Sequence, residues 1–138
     1  MLSYTFERPP LLNQLINTAR TNRYSAATSK KSWTRKCEKA VLEQGLVCFD
    51  EKVFILPTIT YSTVTTDFDG LDACLKPILD GMVKAGVLQD DNFKFIHAIS
   101  FKRYIKSRRD NQYVRLDLTE NFDEYQAHIQ KYLTQYAD

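Results

Sequence analysis

The chain has 138 residues, 43% hydrophobic and 26% charged, with a formal net charge of only +2. That is the length of one domain and the composition of an ordinary globular protein. No apolar run approaches the ~18 residues of a membrane span, and three scattered cysteines make neither a disulfide framework nor a zinc pattern.

The opening MLSYTFERPP lacks a basic start followed by an apolar run, so no secretory leader is expected. Residues 2–7 alternate like a strand, and Pro9 and Pro10 end it because proline supplies no ladder donor. Residues 11–28 lack a clear period and read as a long polar loop carrying Arg20, Arg23 and Tyr24. From 29 to 44 the spacing of Trp33, Cys37, Ala40 and Val41 predicts a helix with a buried face, and Trp33 is expected in the core. Residues 53–64, rich in β-branched and aromatic side chains, predict a strand, with Pro57 marking an edge or a bulge. A helix follows over 70–85. Gly86 is its stop, and Pro77 inside it predicts a bend or a later start. Residues 93–104 and 112–119 read as two strands of a hairpin joined by the basic segment KSRRDN. Asn121 or Asp123 opens a last helix reaching about residue 136, with Tyr125, Ile129 and Leu133 one turn apart.

The pattern predicts an α/β (α+β) fold. A small mixed sheet of about four strands packs with two to three helices in a single domain. Cys37, Cys48 and Cys74 read as reduced thiols of a cytosolic protein.

The small net charge hides segregation. Residues 1–45 carry 8 Lys and Arg against 3 Asp and Glu, whereas 46–101 carry 4 against 8. Residues 102–109, KRYIKSRR, add five basic residues and no acid. Basic blocks around an acidic centre suit an enzyme that holds phosphates and a catalytic cation, although any single charge run is commonly just a solvated face.

The acid gathers in 64-VTTDFDGLDACLKPILDGMVKAGVLQDDN-92. Asp67 and Asp69, two apart at a strand end, would point to one face. Asp72, Lys76 and Asp80, at four-residue spacing, would share a helical face. Asp90 and Asp91 follow the helix. Each also has a plain structural use: Asp69 as an N-cap, Asp72 as a first-turn acid, Lys76 as an ion-pair partner of Asp72 and Asp80, and 90–92 as a turn. Those uses leave like charges at both ends of one helix unexplained. Converging carboxylates repel unless a cation lies between them, and Mg²⁺ takes such oxygen ligands. A calcium loop is excluded, because the glycine of DFDG comes too early and no glutamate closes the loop.

The order 67-DFDGL-71, then Lys76 on a helix, then 90-DD-91 resembles the core of RusA-type Holliday junction resolvases. The proline-rich end of the first strand with Asn13 is similar too. The family has asparagine where Gly70 stands. Its lysine lies four residues after the second aspartate, a spacing that here fits Asp72 rather than Asp69. Two ligand sets therefore stay open, Asp67 with Asp69 or Asp69 with Asp72, and the alternating Asp-Phe-Asp favours the first.

The resemblance implies a homodimeric endonuclease of bacteria or their phages that cuts four-way DNA junctions with Mg²⁺, Mn²⁺ being a substitute. Asp67, Asp69 and Asp91 would hold the metal, Asp90 and Asp72 would stand close by, and Lys76 would act at the scissile phosphate. Arg20, Arg23, Lys30, Lys31, Lys102, Arg103, Lys106, Arg108 and Arg109 would grip the backbone without reading sequence. The alternatives are a nuclease for other branched DNA and an inactive DNA-binding relative.

Overall fold

β2 (Val53–Tyr61) is the axis of the molecule. On one side it pairs antiparallel with β5 (Tyr113–Thr119), which pairs antiparallel with β1 (Leu2–Glu7). On the other side it pairs parallel with both β3 (Ile96–Ile99) and β4 (Arg103–Lys106). The result is a five-stranded mixed sheet in one α/β domain. This structure, a computed structural model, describes residues 1–11 and 23–136, the side chains of 23–27 and 136 excepted. Asn13 and Arg20 lie outside the described residues, as do the side chains of Arg23 and Tyr24.

Alternation along the strands sorts the two faces. Tyr4, Phe6, Val53, Ile55, Ile59, Val114, Leu116 and Leu118 form one buried face. Over it lie α1 (Arg23–Gln44), the one-turn α2 (Phe68–Asp72) and α3 (Leu75–Ala85). Leu71, Ile78 and Met82 fill the interior with Cys37 and Val41 of α1. The helices α1 and α3 approach most closely at Gly81. A Cβ there would stand 2.5 Å from Cys37 Cβ and 2.9 Å from the Thr34 carbonyl oxygen, so only glycine fits. Burial pushes the Cys37 thiol up to about 12 and the Cys74 thiol up to about 11, which leaves both inert at neutral pH.

The opposite face is polar and aromatic. The helix α4 (Phe122–Leu133) covers it, capped by Asn121, whose side chain accepts from Glu124 N at 2.9 Å. Phe54 stacks on Tyr125 and His97, with centroids 4.2 and 4.5 Å away. Asp117 is buried there, accepting from Ser3, from Arg115 Nε at 3.0 Å and from His128 Nε2 at 3.3 Å. This cluster escaped the sequence reading, which had no reason to place an aspartate of β5 inside.

Several expectations change. The first helix begins by Arg23, six residues before 29, and Trp33 is half-buried rather than core. The strand expected over 53–64 ends at Tyr61, so Asp67 and Asp69 do not leave a strand end together. The helix expected over 70–85 is two, broken at Ala73 and Cys74. Pro77 then falls in the first turn of α3, where its missing N–H costs no bond.

A further change concerns the hairpin. β4 and β5 do not pair; they flank β2 on opposite sides. The connection 107–112 crosses the end of β2. Ser107 N donates to the Tyr61 carbonyl at 2.9 Å, and Gln112 Nε2 donates to the Ser107 and Arg108 carbonyls at 3.0 and 2.7 Å.

The single strand expected over 93–104 is also interrupted. Val53 N, the Ile55 carbonyl and the Tyr61 carbonyl all bond toward β3 and β4, so odd-numbered groups of β2 face that side. Pro57 is odd-numbered and has no N–H to offer there. The ladder lapses beside it, between Ile99 and Arg103. Pro57 therefore marks neither an edge strand nor a bulge of its own, but a gap in the neighbouring strand.

Candidate functional site

The gap beside Pro57 frees Lys102 to turn toward α2. Its Nζ lies 2.9 Å from Asp72 Oδ2, and Tyr104 Oη donates to Asp72 Oδ1 at 2.8 Å. Tyr104 points this way because it pairs with Ile59 and shares its face. Burial first, then the Asp72 hydrogen bond, raises the Tyr104 phenol above its ordinary value. Asp72 is thus neutralised by Lys102, just before β4, and not by Lys76. Tyr104 is a site residue that sequence reasoning missed, and alternation along 103–106 would not alone have identified its partner.

Asp67 and Asp69 are placed differently. Asp67 occupies the N-cap position of α2 with extended backbone (φ −77°, ψ 141°), yet its carboxylate makes no capping bond. Asp69 sits in the first turn. Both side chains are exposed, and neither has a hydrogen bond or ion pair among the described residues. They line an open polar cleft with Thr65, Thr66, Phe68, Gly70 and Leu11.

Lys76 and Asp91 do come together. α3 runs away from the site and the segment 86–91 returns, turned at Gly86, which has φ +101°. Lys76 Nζ lies 3.0 Å from Asp80 Oδ1 and 3.4 Å from Asp91 Oδ2. The Asp80 hydrogen bond above all, and the charges of Asp80 and Asp91, raise the Lys76 ammonium above its ordinary value, so it is a fixed cation. Asp90 holds the turn, its Oδ1 accepting from Asp91 N at 2.8 Å and its Oδ2 from Asn92 Nδ2 at 3.2 Å. The plain turn reading of 90–92 therefore describes Asp90 well.

The five aspartates thus stand at three stations rather than one. Among the described residues, no group of three or more His, Cys, Asp and Glu side chains is arranged to hold a metal ion. The donor chemistry at Asp67 and Asp69 nevertheless fits Mg²⁺. Two free carboxylates facing water match a cation that takes one or two carboxylates and completes its shell with water and phosphate.

The basic residues also divide. Lys102 is bound to Asp72, and the Arg103 guanidinium lies 3.6 Å from the Tyr132 ring centroid on the α4 side of the sheet. Arg108 grips Asp110, Nη2 to Oδ2 at 2.7 Å and Nε to Oδ1 at 3.1 Å. Lys30, Lys31, Lys106 and Arg109 are exposed and unpaired among the described residues.

Three clefts adjoin along this end of the sheet. Lys106, Arg108 and Arg109 line the first with Ser62 and Thr63. Thr63 continues into the second, walled by Val64, Thr66, Phe68, Lys102 and Tyr104. Thr66 and Phe68 in turn border the cleft of Asp67 and Asp69. A basic end, an aromatic middle and an acidic end thus adjoin through shared wall residues. No protein-family model matches the chain, and no curated protein matches it.

Proposed function

We propose that this chain is a divalent-metal-dependent endodeoxyribonuclease that acts on four-way DNA junctions as a homodimer. The observation that carries this reading is the trough of three clefts, adjoining through shared wall residues, from Lys106 and Arg109 to Asp67 and Asp69, whose carboxylates have no partner among the described residues. A phosphate backbone lying in it would meet cations first and carboxylates last. The likeness of 67-DFDGL-71, Lys76 and 90-DD-91 to the RusA-type pattern supports the same reading.

Asp67 and Asp69 would hold the metal. When bound, Mg²⁺ supplies an activated water and offsets charge on the reacting phosphate. Lys106 and Arg109 fix the strand by its phosphates, which positions DNA without reading its sequence. Lys76, kept protonated by Asp80 and Asp91, would offer positive charge to a DNA phosphate that reaches it. Two symmetric cuts in a four-way junction call for two such sites on a two-fold axis, which is the reason for a dimer.

The test is cleavage of a synthetic four-way junction, a flap and a plain duplex, each with and without Mg²⁺. Mg²⁺-dependent paired cutting of the junction is the expected result. Preference for the flap would move the reading to other branched DNA. Tight junction binding with no cutting would make the chain a DNA-binding protein.

A further inference from the structure

A second cleft lies on the other side of Lys76, walled by the loop after β1, by α1 and by the start of α3. Pro9, Pro10, Pro77, Ala73 and the Trp33 indole give it an apolar lining, and Lys30, Lys76 and Asp80 stand with them in its wall. We infer that this cleft takes one unstacked DNA base, held face-on against Trp33, with its phosphate at Lys30. The inference rests on the proposed nuclease function, because it supplies the place for a base next to the strand being cut.

The volume, about 180 Å³, sets the size of the occupant. It falls below the roughly 300–1,000 Å³ of pockets for drug-sized ligands, so it suits a single ring system. The chemistry of the walls sets the kind. The prolines and the face of the indole offer flat apolar surface, and the Thr34 hydroxyl is spent on the Lys30 carbonyl at 3.0 Å. Such a site recognises a π-face and not a sequence.

Charge sets the rest. Asp80 is matched by Lys76 at 3.0 Å, which leaves Lys30 as a cation without an ion-pair partner among the described residues. An apolar slot beside a free ammonium complements a planar ligand that carries an anion, which is a nucleotide. Lys36 adds a further positive charge, its Nζ 4.2 Å from the Trp33 ring centroid but outside the cleft wall. Lys76 borders this cleft and pairs with Asp91, so a base seated here would belong to a nucleotide beside Lys76.

Trp33 is the only tryptophan in the chain, so its emission reports on this cleft alone. The protein is titrated with a short oligothymidylate and with an abasic strand of the same length, while anisotropy of labelled strands measures binding. Saturable quenching by oligothymidylate, with little from the abasic strand, is the expected result. Trp33→Ala should then weaken oligothymidylate roughly five- to hundredfold and leave the abasic strand unchanged. Lys30→Gln should weaken both. Bound oligothymidylate with unchanged emission, or equal quenching by both strands, overturns the proposal, as does failure of either strand to bind. Junction cleavage on the same preparation tells separately whether the nuclease reading stands.

Discussion

Asp69 and Asp72 lie three residues apart on the same short helix, yet their surroundings have little in common. Asp72 is held by the Lys102 ammonium just before β4 and the Tyr104 phenol of β4, both within 3 Å. Asp69, with Asp67 beside it, faces an open cleft and has no partner among the described residues. A carboxylate whose charge is already matched contributes to the fold. One left exposed beside another is repelled by its neighbour and gains most from an added cation. Under the proposed function, the contrast gives Asp72 a structural duty and Asp67 and Asp69 the metal.

The largest expected effect comes from the free pair. Asp67→Asn or Asp69→Asn should lower junction cleavage by more than the roughly 10- to 100-fold that partners outside a metal's own ligands cost. Junction binding should stay or tighten, since negative charge near DNA is removed. A Mg²⁺ titration should show a raised metal requirement. Parental cleavage rates in both variants would erase the distinction from Asp72.

The basic end of the trough gives the next effect. Replacing Lys106, Arg108 and Arg109 together with alanine should reduce the slope of log affinity against log salt by about two units. Two is expected rather than three because Arg108 already spends its guanidinium on Asp110. A slope that does not move would mean that the loop is only a solvated crossing over β2.

Asp72→Asn should keep most cleavage activity and its metal requirement. It should instead cost roughly 1 kcal/mol of stability, because the pair with Lys102 is about one-third exposed and screened. Thermal melting reads this directly. If the variant proves inactive but fully stable, Asp72 rather than Asp67 is the partner of Asp69.

The smallest effect is a pH dependence. The folded protein holds the Tyr104 proton more tightly than the unfolded chain does, through burial and the Asp72 carboxylate. That contribution is complete below the ordinary tyrosine value near 10 and is lost as the pH rises past it. Tyr104→Phe should therefore show a shallower alkaline fall in melting temperature above about pH 10 than the parent. Matching curves would mean that Tyr104 does not hold Asp72 in solution.

Much of the scaffold was legible in the sequence because local rules fix it. Alternation in 2–7 and β-branched and aromatic content in 53–61 mark strands, and 113–119 falls within the strand expected over 112–119. Gly86 stops α3 because its backbone is left-handed, and Asn121 starts α4 because its side chain reaches Glu124 N. Even the break in the last strands has a sequence cause, the missing donor of Pro57, although its consequence appears on a different strand.

What only the tertiary structure decided is which charge meets which. From sequence, Lys76 was the nearest cation to Asp72, but Lys102 and Tyr104, some thirty positions away, reach it first. Likewise the basic loop read as a hairpin, whereas β2 lies between the two strands it joins. Helix caps, stops and strand faces depend on neighbours a few residues away, so the chain specifies them by itself. Ion pairing depends on the order of strands and on the side of the sheet from which each group arrives, and that is set only when the whole sheet closes around β2.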